Sequence, residues 1–137
     1  FELARREQAR ADRSPPIAFR LALNCSAEEW GAFACQVDVP TNLAVFLRPP
    51  DIYELYQDAG VVLNLSHPEG WIETFGMTLL EAMACGVPII CPKIGGCVEL
   101  LENGRGGWHI DSRAIEEIEI VIRSLARDPK RLRQARD

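Results

Sequence analysis

The chain has 137 residues, of which 47% are hydrophobic and 26% are charged, and its net charge is −5. This is the composition of a globular protein that can bury a core. The acidic balance and the absence of a basic block argue against a nucleic-acid partner. No apolar run approaches the roughly 20 residues that cross a bilayer, and the charged start FELARR differs from an apolar targeting signal. We therefore expect a cytoplasmic protein without a transmembrane segment.

The cysteine pattern does not indicate a metal site or a disulfide framework. The five cysteines are Cys25, Cys35, Cys85, Cys91 and Cys97. They include no C-x-x-C pair and lack the close grouping of a zinc site. We expect small buried hydrophobic side chains in a reducing compartment. The chain begins without methionine and ends inside a charged helical pattern, which suggests a piece of a longer protein.

The first half of the chain alternates between helix and strand patterns. In chain order we predict a helix over residues 1–11, a strand over 17–23, a helix from the Ser26 N-cap to about residue 37, a strand over 43–47, a short helix from Asp51 and a strand over 61–65. The strand over 17–23 has apolar residues at every second position. The strand over 61–65 is apolar nearly throughout, which is typical of a parallel strand covered on both faces.

The second half continues the alternation. In chain order we predict a helix from Phe75 to Gly86, a strand over 87–91, a short helix over about 97–101, a turn at Asn103–Gly104, a strand over 107–110, a helix with an apolar stripe at Ile115, Ile118, Val121, Ile122 and Leu125, and a last helix capped by Asp128. This alternation predicts a parallel sheet with helices on both faces. Ligands of such sheets bind at the carboxyl ends of strands. The loops over 66–75 and 92–96 should therefore face one crevice.

The stretch over residues 67–96, HPEGWIETFGMTLLEAMACGVPIICPKIGG, contains a predicted anion site. Thr74 is predicted to cap a helix that starts at Phe75. The first amides of that helix, near Phe75, Gly76 and Met77, would have no intrahelical partner. Together with the helix dipole they favour a bound anion such as a phosphate.

Two glutamates flank this helix start, Glu73 before it and Glu81 eight residues later. Their carboxylates can accept hydrogen bonds from hydroxyl groups. Eight helical residues span about 12 Å, of the order of the distance from ribose to sugar in a nucleotide diphosphate sugar. The alternative is that Glu73 only complements the helix dipole and that Glu81 is a solvated helix residue. Glu81 lies among apolar residues, however, where a carboxylate without a partner is costly to bury.

The segment ETFGMTLLEAMACGVPII resembles the E-x7-E signature of the retaining glycosyltransferases of family 4, which have the GT-B fold. Gly95-Gly96, Glu99, Gly104 and Gly107 resemble the G-G-x-x-E-x-x-x-x-G-x-x-G continuation of that family. The resemblance is close over residues 61–110 and consistent in layout over most of the chain. It implies that residues 1–137 form a single Rossmann-like, nucleotide-sugar-binding domain, the C-terminal half of a two-domain GT-B architecture.

The resemblance also implies roles for residues of the central stretch. Glu73 would act at the catalytic centre by binding donor-sugar hydroxyls, and Glu81 would bind the ribose. The implied contacts to the donor sugar and diphosphate are Glu73, Thr74, Phe75, Gly76 and Met77. Further candidates are Lys93, Gly95 and Gly96 in the second loop, and Arg48 near the base.

Two parts of the family pattern are not found in this sequence. The resemblance implies a first strand followed by an arginine and a lysine that clamp the diphosphate, and an N-terminal acceptor domain, and we find neither here. We therefore expect little or no sugar transfer by this chain alone. No D-x-D pair indicates a metal, and no cofactor is expected beyond the nucleotide-sugar donor. Peripheral membrane association of the full-length protein would follow if its missing half accepts lipid. The alternatives are a sugar-nucleotide epimerase of the same fold and a non-catalytic nucleotide-binding module.

Overall fold

The computed structural model describes residues 1–11, 15–67, 69–70, 72–103 and 105–136. Gly104, part of the predicted turn and of the glycine motif, lies outside these residues. The chain divides into two compact units, Phe1–Ile52 and Tyr53–Asp137, and each is described by itself. The assignment of residues 1–137 to a single domain stays a prediction.

The first unit is a two-stranded parallel sheet with two helices. Its elements are α1 (Glu2–Gln8), β1 (Phe19–Leu23), α2 (Ala27–Ala34) and β2 (Leu43–Leu47). β1 begins two residues later than predicted because its pairing with β2 begins where Phe19 meets Leu43. The predicted cap of α2 is confirmed: the Ser26 hydroxyl accepts a hydrogen bond from the Glu29 amide at 3.2 Å, and the Glu29 carboxylate accepts one from the Ser26 amide at 2.7 Å.

The second unit contains a four-stranded sheet with the order β3-β4-β6-β5. Its elements are α3 (Tyr53–Gln57), β3 (Val62–Leu63), α4 (Met77–Ala84), β4 (Ile89–Cys91), a 3₁₀ helix (Gly96–Glu99), β5 (Glu102–Asn103), β6 (Gly106–His109), α5 (Ile115–Arg127) and α6 (Pro129–Arg136). β4 pairs in parallel with both β3 and β6. The predicted α/β architecture with parallel strands is confirmed. Asn103 of the predicted turn lies in the short strand β5 beside β6, and the other residue of that turn, Gly104, lies outside the described residues.

The core of the second unit lies around β4, whose three residues are all completely buried. Leu79 of α4 is also fully buried. The predicted apolar stripe of α5 is confirmed for the buried residues Ile118, Val121, Ile122 and Leu125, whereas Ile115 at the helix start is half-buried. α6 begins as predicted, since the Asp128 carboxylate accepts a hydrogen bond from the Lys130 amide at 2.9 Å. Among the described helices, none combines the length and apolar character that crossing a membrane requires.

The cysteines only partly follow the prediction of burial. Cys91 and Cys97 are buried, Cys25 and Cys85 are intermediate, and Cys35 is exposed. Burial is the main cause that raises the pKa of the Cys91 thiol to about 12, so this side chain is an uncharged thiol at neutral pH. The prediction is therefore confirmed for Cys91 and Cys97 and wrong for Cys35, which lies at the exposed end of α2.

Candidate functional site

Two loops converge at the carboxyl ends of β3 and β4, as predicted. The Gly96 amide donates a hydrogen bond to the Glu73 carbonyl oxygen at 3.0 Å. A Cβ atom on Gly95 would overlap the Glu73 carbonyl oxygen, and one on Gly96 would overlap the Thr74 carbonyl oxygen. The two backbones are thus in direct contact, which requires residues without a side chain. The glycine pair of the sequence motif is what permits the loop after β4 to reach Glu73.

The start of α4 differs from the prediction. The helix begins at Met77, and its N-cap is Gly76 in the left-handed conformation, with φ 76°. Thr74 does not cap the helix. Instead, the Glu73 carboxylate accepts hydrogen bonds from the amides of Phe75 at 3.3 Å and Gly76 at 3.0 Å. These two amides therefore already have an acceptor, and the first-turn amides that lack an intrahelical partner are those of Met77 and Thr78.

Glu73 is a fixed and charged carboxylate. In addition to the two amides, the Asn64 side-chain amide donates to Glu73 Oε2 at 3.2 Å. The hydrogen bond from the Gly76 amide is the largest cause that holds the pKa of Glu73 below its usual 4.5, and partial burial opposes it. The folded-state pKa lies below the unfolded value, so the ionised group contributes stability above that value. This contribution is lost as the pH falls through the folded pKa.

Asn64 belongs to a hydrogen-bonded network that sequence reasoning did not find. Its side-chain oxygen accepts from the Ser66 amide at 3.0 Å and from the Ser66 hydroxyl at 2.6 Å. The Ser66 carbonyl in turn accepts from the Ser112 hydroxyl at 3.0 Å. The available signal was a lone polar residue inside the apolar run VVLNL, at the end of a strand whose carboxyl edge was predicted to face the ligand.

Glu81 also has a fixed partner. Its Oε2 accepts a hydrogen bond from the Tyr56 hydroxyl at 3.0 Å, and Tyr56 is 5% exposed. Burial and then this hydrogen bond raise the pKa of Tyr56 to about 12, so its hydroxyl keeps its proton and donates. Glu81 lies one turn beyond Met77 on the same helix face. Tyr56 lies in the short helix that was predicted from Asp51, but its contact with Glu81 was not predicted.

The remaining predicted site residues lie in two places. Lys93 is exposed and belongs to the loop after β4 that also contains Gly95 and Gly96. Arg48 belongs to the first unit, where it is exposed at the carboxyl end of β2 with a positive φ of 44°. Its amide donates to the Leu23 carbonyl at 2.8 Å. The structure therefore brings together Glu73, Thr74, Phe75, Gly76, Met77, Gly95 and Gly96, with Glu81 further along α4.

Large apolar side chains are exposed around these loops. We call the following set the apolar rim: Leu65, Ile72, Phe75, Met77, Ile94 and Val98. They lie on the loop after β3, at the start of α4, on the loop after β4 and on the 3₁₀ helix. Phe75 and Met77 are each more than half exposed, at 60% and 57%. Polar groups of Glu73 and of the α4 N-terminus are thus bordered by apolar surface, a combination that is common at ligand sites.

Replacing Tyr56 with phenylalanine is expected to lower the free energy of unfolding by about 1 kcal/mol, because Glu81 loses a buried hydrogen-bond donor. Urea denaturation of the purified chain measures this change. The matched control is Tyr53→Phe, which removes a hydroxyl from the same helix at a side chain that is 52% exposed. If Tyr56→Phe unfolds at the same urea concentration as the wild type, the Tyr56–Glu81 hydrogen bond contributes nothing to stability.

Sequence comparisons identify relatives of this chain. The family described as Glycosyl transferases group 1 matches residues 32–137. The D-inositol 3-phosphate glycosyltransferase of Segniliparus rotundus is 35% identical over 104 residues, which cover 74% of this chain and 22% of that protein. The sucrose synthase of Melioribacter roseus is 46% identical over 55 residues, which cover 39% of this chain and 7% of that protein. The chain spans about a fifth of the length of the glycosyltransferase relative.

Solved structures with the GT-B fold are similar to this chain. Anabaena HepE in complex with UDP has a TM-score of 0.74 and 22% identity, and the match covers 89% of this chain and 34% of HepE. TarM has a TM-score of 0.77 and 18% identity, covering 98% of this chain and 26% of TarM. These likenesses establish the fold. Because the family match extends over residues 32–137, well over half of the sequence, the chain belongs to the group 1 glycosyl transferases.

Proposed function

We propose that this chain is the donor-binding part of a retaining glycosyltransferase, which moves a sugar from a nucleotide diphosphate sugar to an acceptor hydroxyl. The observation that carries the proposal is the position of the Glu73 carboxylate. Backbone amides and the Asn64 side chain hold it in one orientation, immediately before the N-terminus of α4. A fixed anion beside a helix N-terminus suits a ligand that carries hydroxyls next to phosphates.

Glu73 is proposed to bind the hydroxyls of the transferred sugar. The amides of Phe75 and Gly76 donate to Oε1 and the Asn64 side chain donates to Oε2, and a sugar hydroxyl is proposed to donate to Oε2 as well. The low pKa keeps the group charged at neutral pH. This charge also favours the positive charge that develops on the sugar ring as the bond to the diphosphate breaks. Retention would then follow a front-face route without a covalent intermediate.

The diphosphate is proposed to lie against the first turn of α4. The amides of Met77 and Thr78 have no intrahelical partner, and the helix dipole adds partial positive charge. The exposed Lys93 belongs to the adjoining loop, where Gly95 and Gly96 allow close approach of backbones. Thr74 and Phe75 lie in the loop between Glu73 and the helix. The proposal requires no metal, since the helix N-terminus and cations of the complete protein would balance the diphosphate charge.

Glu81 is proposed to bind the ribose of the nucleotide. Tyr56 donates to Oε2, which leaves Oε1 with acceptor capacity for a ribose diol. HepE has been crystallised with UDP and with UDP-glucose, which supports uridine nucleotides as the first donors to test. Arg48, at the end of β2, stays a candidate for base contacts.

The complete protein is proposed to contain further parts of the site. The chain spans about a fifth of the D-inositol 3-phosphate glycosyltransferase that it resembles, so an acceptor site and additional phosphate-binding cations would lie elsewhere. The C-terminal domain of a group 1 glycosyl transferase from Francisella tularensis has a TM-score of 0.61 and 22% identity to this chain. That likeness supports a C-terminal position for the chain. The chain alone is expected to bind donor and to transfer little or no sugar.

Two glutamate variants test the proposal in the full-length protein. Glu81→Gln should weaken UDP binding about 10-fold in calorimetry, because one charge-assisted hydrogen bond to the ribose is lost. Glu73→Gln should leave UDP binding nearly unchanged, since UDP has no sugar, and should lower kcat about 100-fold. The control is Glu117→Gln, an exposed glutamate of α5.

The products decide between the proposal and its alternatives. A new glycosidic bond with the donor's anomeric configuration supports retaining transfer. A change of sugar configuration without transfer would instead indicate an epimerase. UDP binding with no reaction across a donor panel, unaffected by Glu73→Gln, would indicate a non-catalytic nucleotide-binding module and would contradict the proposal.

A further inference from the structure

We infer that Asn64 is a positioning residue, which holds the Glu73 carboxylate in the orientation that receives the donor sugar. The inference rests on the proposed role of Glu73 and adds a residue to that site. Glu73 accepts hydrogen bonds from the amides of Phe75 and Gly76 and from the side chain of Asn64, and the Thr74 amide adds to them. The amides are close neighbours of Glu73 in the chain, whereas Asn64 follows strand β3, and this difference distinguishes Asn64.

Asn64 is attached to the sheet. Its backbone amide donates to the Ile90 carbonyl at 2.9 Å, which continues the pairing of β3 with the buried strand β4. Phe75 and Gly76, in contrast, follow Glu73 by two and three residues in the chain, and Gly76 is the N-cap of α4. The hydrogen bond from Asn64 to Glu73 Oε2 therefore connects the carboxylate to a rigid reference, as the support of a functional group requires.

The orientation of the Asn64 amide follows from chemistry. A backbone N–H can only donate, so the Asn64 atom that faces the Ser66 amide at 3.0 Å must be the side-chain oxygen. The Ser66 hydroxyl at 2.6 Å contacts the same oxygen. The nitrogen is consequently directed to the opposite side, where it lies 3.2 Å from Glu73 Oε2.

Ser66 is itself held in place. Its carbonyl oxygen accepts a hydrogen bond from the hydroxyl of Ser112, which precedes α5. A continuous series of hydrogen bonds thus leads from Ser112 through Ser66 and Asn64 to Glu73. No ionisable side chain of the described residues hydrogen-bonds to Glu73, whose donors are backbone amides of the following residues and the side chain of Asn64.

The test compares Asn64→Asp and Asn64→Ala in the full-length enzyme, with UDP-glucose as donor. Both variants remove the donor to Glu73, and both should lower kcat about 10- to 100-fold near pH 7.5 through misplacement of the carboxylate. Binding of UDP, which lacks the sugar, should stay within about twofold of wild type. Thermal unfolding of each variant reports whether the fold is kept.

The pH dependence separates positioning from a structural role. In Asn64→Asp two carboxylates face each other, and their repulsion favours a shared proton as the pH falls. The introduced carboxyl group, once protonated, can again donate a hydrogen bond to Glu73. The ratio of wild-type kcat to Asn64→Asp kcat should therefore fall about 10-fold between pH 7.5 and 5.5. The alanine side chain of Asn64→Ala cannot donate a hydrogen bond, so its loss of kcat relative to wild type should be the same at both pH values.

Each outcome has a defined meaning. A wild-type protein that neither binds UDP nor transfers sugar overturns the proposed function and this inference with it. An active wild type with Asn64→Ala and Asn64→Asp equally active overturns the inference alone. The inference is also overturned if both variants lose kcat, UDP affinity and unfolding temperature to the same extent as each other, and if kcat does not recover at low pH. That result would indicate a purely structural residue. A kcat deficit that recovers only in Asn64→Asp supports it.

Discussion

Replacing Gly107 with alanine is expected to lower the free energy of unfolding of the second unit by more than about 3 kcal/mol. Gly107 lies opposite Ile89 in the pairing of β6 with β4, and its φ is 155°. A Cβ atom would overlap the Ile89 carbonyl oxygen and lie 2.9 Å from the Ile89 carbonyl carbon and nitrogen. β4 is the completely buried strand of this unit, so it has no room to move aside.

Urea denaturation followed by circular dichroism measures this loss. The matched control is Gly60→Ala in the same unit, where an added Cβ atom meets nothing within 4 Å. That variant is expected to unfold within about 1 kcal/mol of wild type, because it changes mainly the entropy of the unfolded chain. Equal stability of the Gly107 and Gly60 variants would mean that β6 and β4 do not approach this closely.

Replacing Gly96 with alanine is expected to abolish most donor recognition while the unit stays folded. A Cβ atom here would overlap the Thr74 carbonyl oxygen and lie 2.8 Å from the Thr74 carbonyl carbon. The two loops must separate, which breaks the hydrogen bond from the Gly96 amide to the Glu73 carbonyl. Since misplacement by about 1 Å can reduce a rate 100-fold, transfer by the full-length protein should fall by about that factor.

Two measurements check the Gly96 variant. Calorimetry with UDP-glucose should give a dissociation constant raised at least about 10-fold, which corresponds to a loss of about 1.4 kcal/mol of binding energy. Circular dichroism should give an unchanged folded spectrum, because the loops lie outside the buried strands. Gly60→Ala serves again as the control. Wild-type affinity in the Gly96 variant would show that contact between the loops is not needed for the proposed site.

Local sequence patterns predicted the elements whose contacts are near in sequence. The capping box of Ser26 and Glu29 and the apolar stripe of α5 depend on residues within one or a few turns of each other, and both are confirmed. The parallel α/β architecture also follows from the alternation of strand and helix patterns. These features depend on short-range spacing, which a single sequence records directly.

The start of α4 could not be predicted because two side chains compete for the same amides. A threonine before a helix is a normal N-cap, and this favoured Thr74. The Glu73 carboxylate instead accepts from the amides of Phe75 and Gly76 and holds them outside the helix. Side chains that hydrogen-bond to nearby backbone can displace a helix start in this way, and only the folded geometry decides between them.

The supporting residues of the two glutamates were missed because their contacts are distant in sequence. Tyr56 and Glu81 are 25 positions apart, and Asn64 and Glu73 are nine apart across a loop. The resemblance identified both glutamates and not the groups that hold them. Asn64 and Tyr56 can be recognised as partners of the glutamates only in the folded structure, where α3, β3 and α4 belong to one unit.

The apolar rim has a consequence for the solution behaviour of the chain. Several large hydrophobic side chains at one edge of a small unit promote association between copies, and the modest net charge of −5 provides limited repulsion against it. Dimers or larger species that form through this edge would hide the very loops that titrations address. Sedimentation at the concentrations used for calorimetry therefore belongs with every binding experiment, because self-association there would reduce the apparent number of sites.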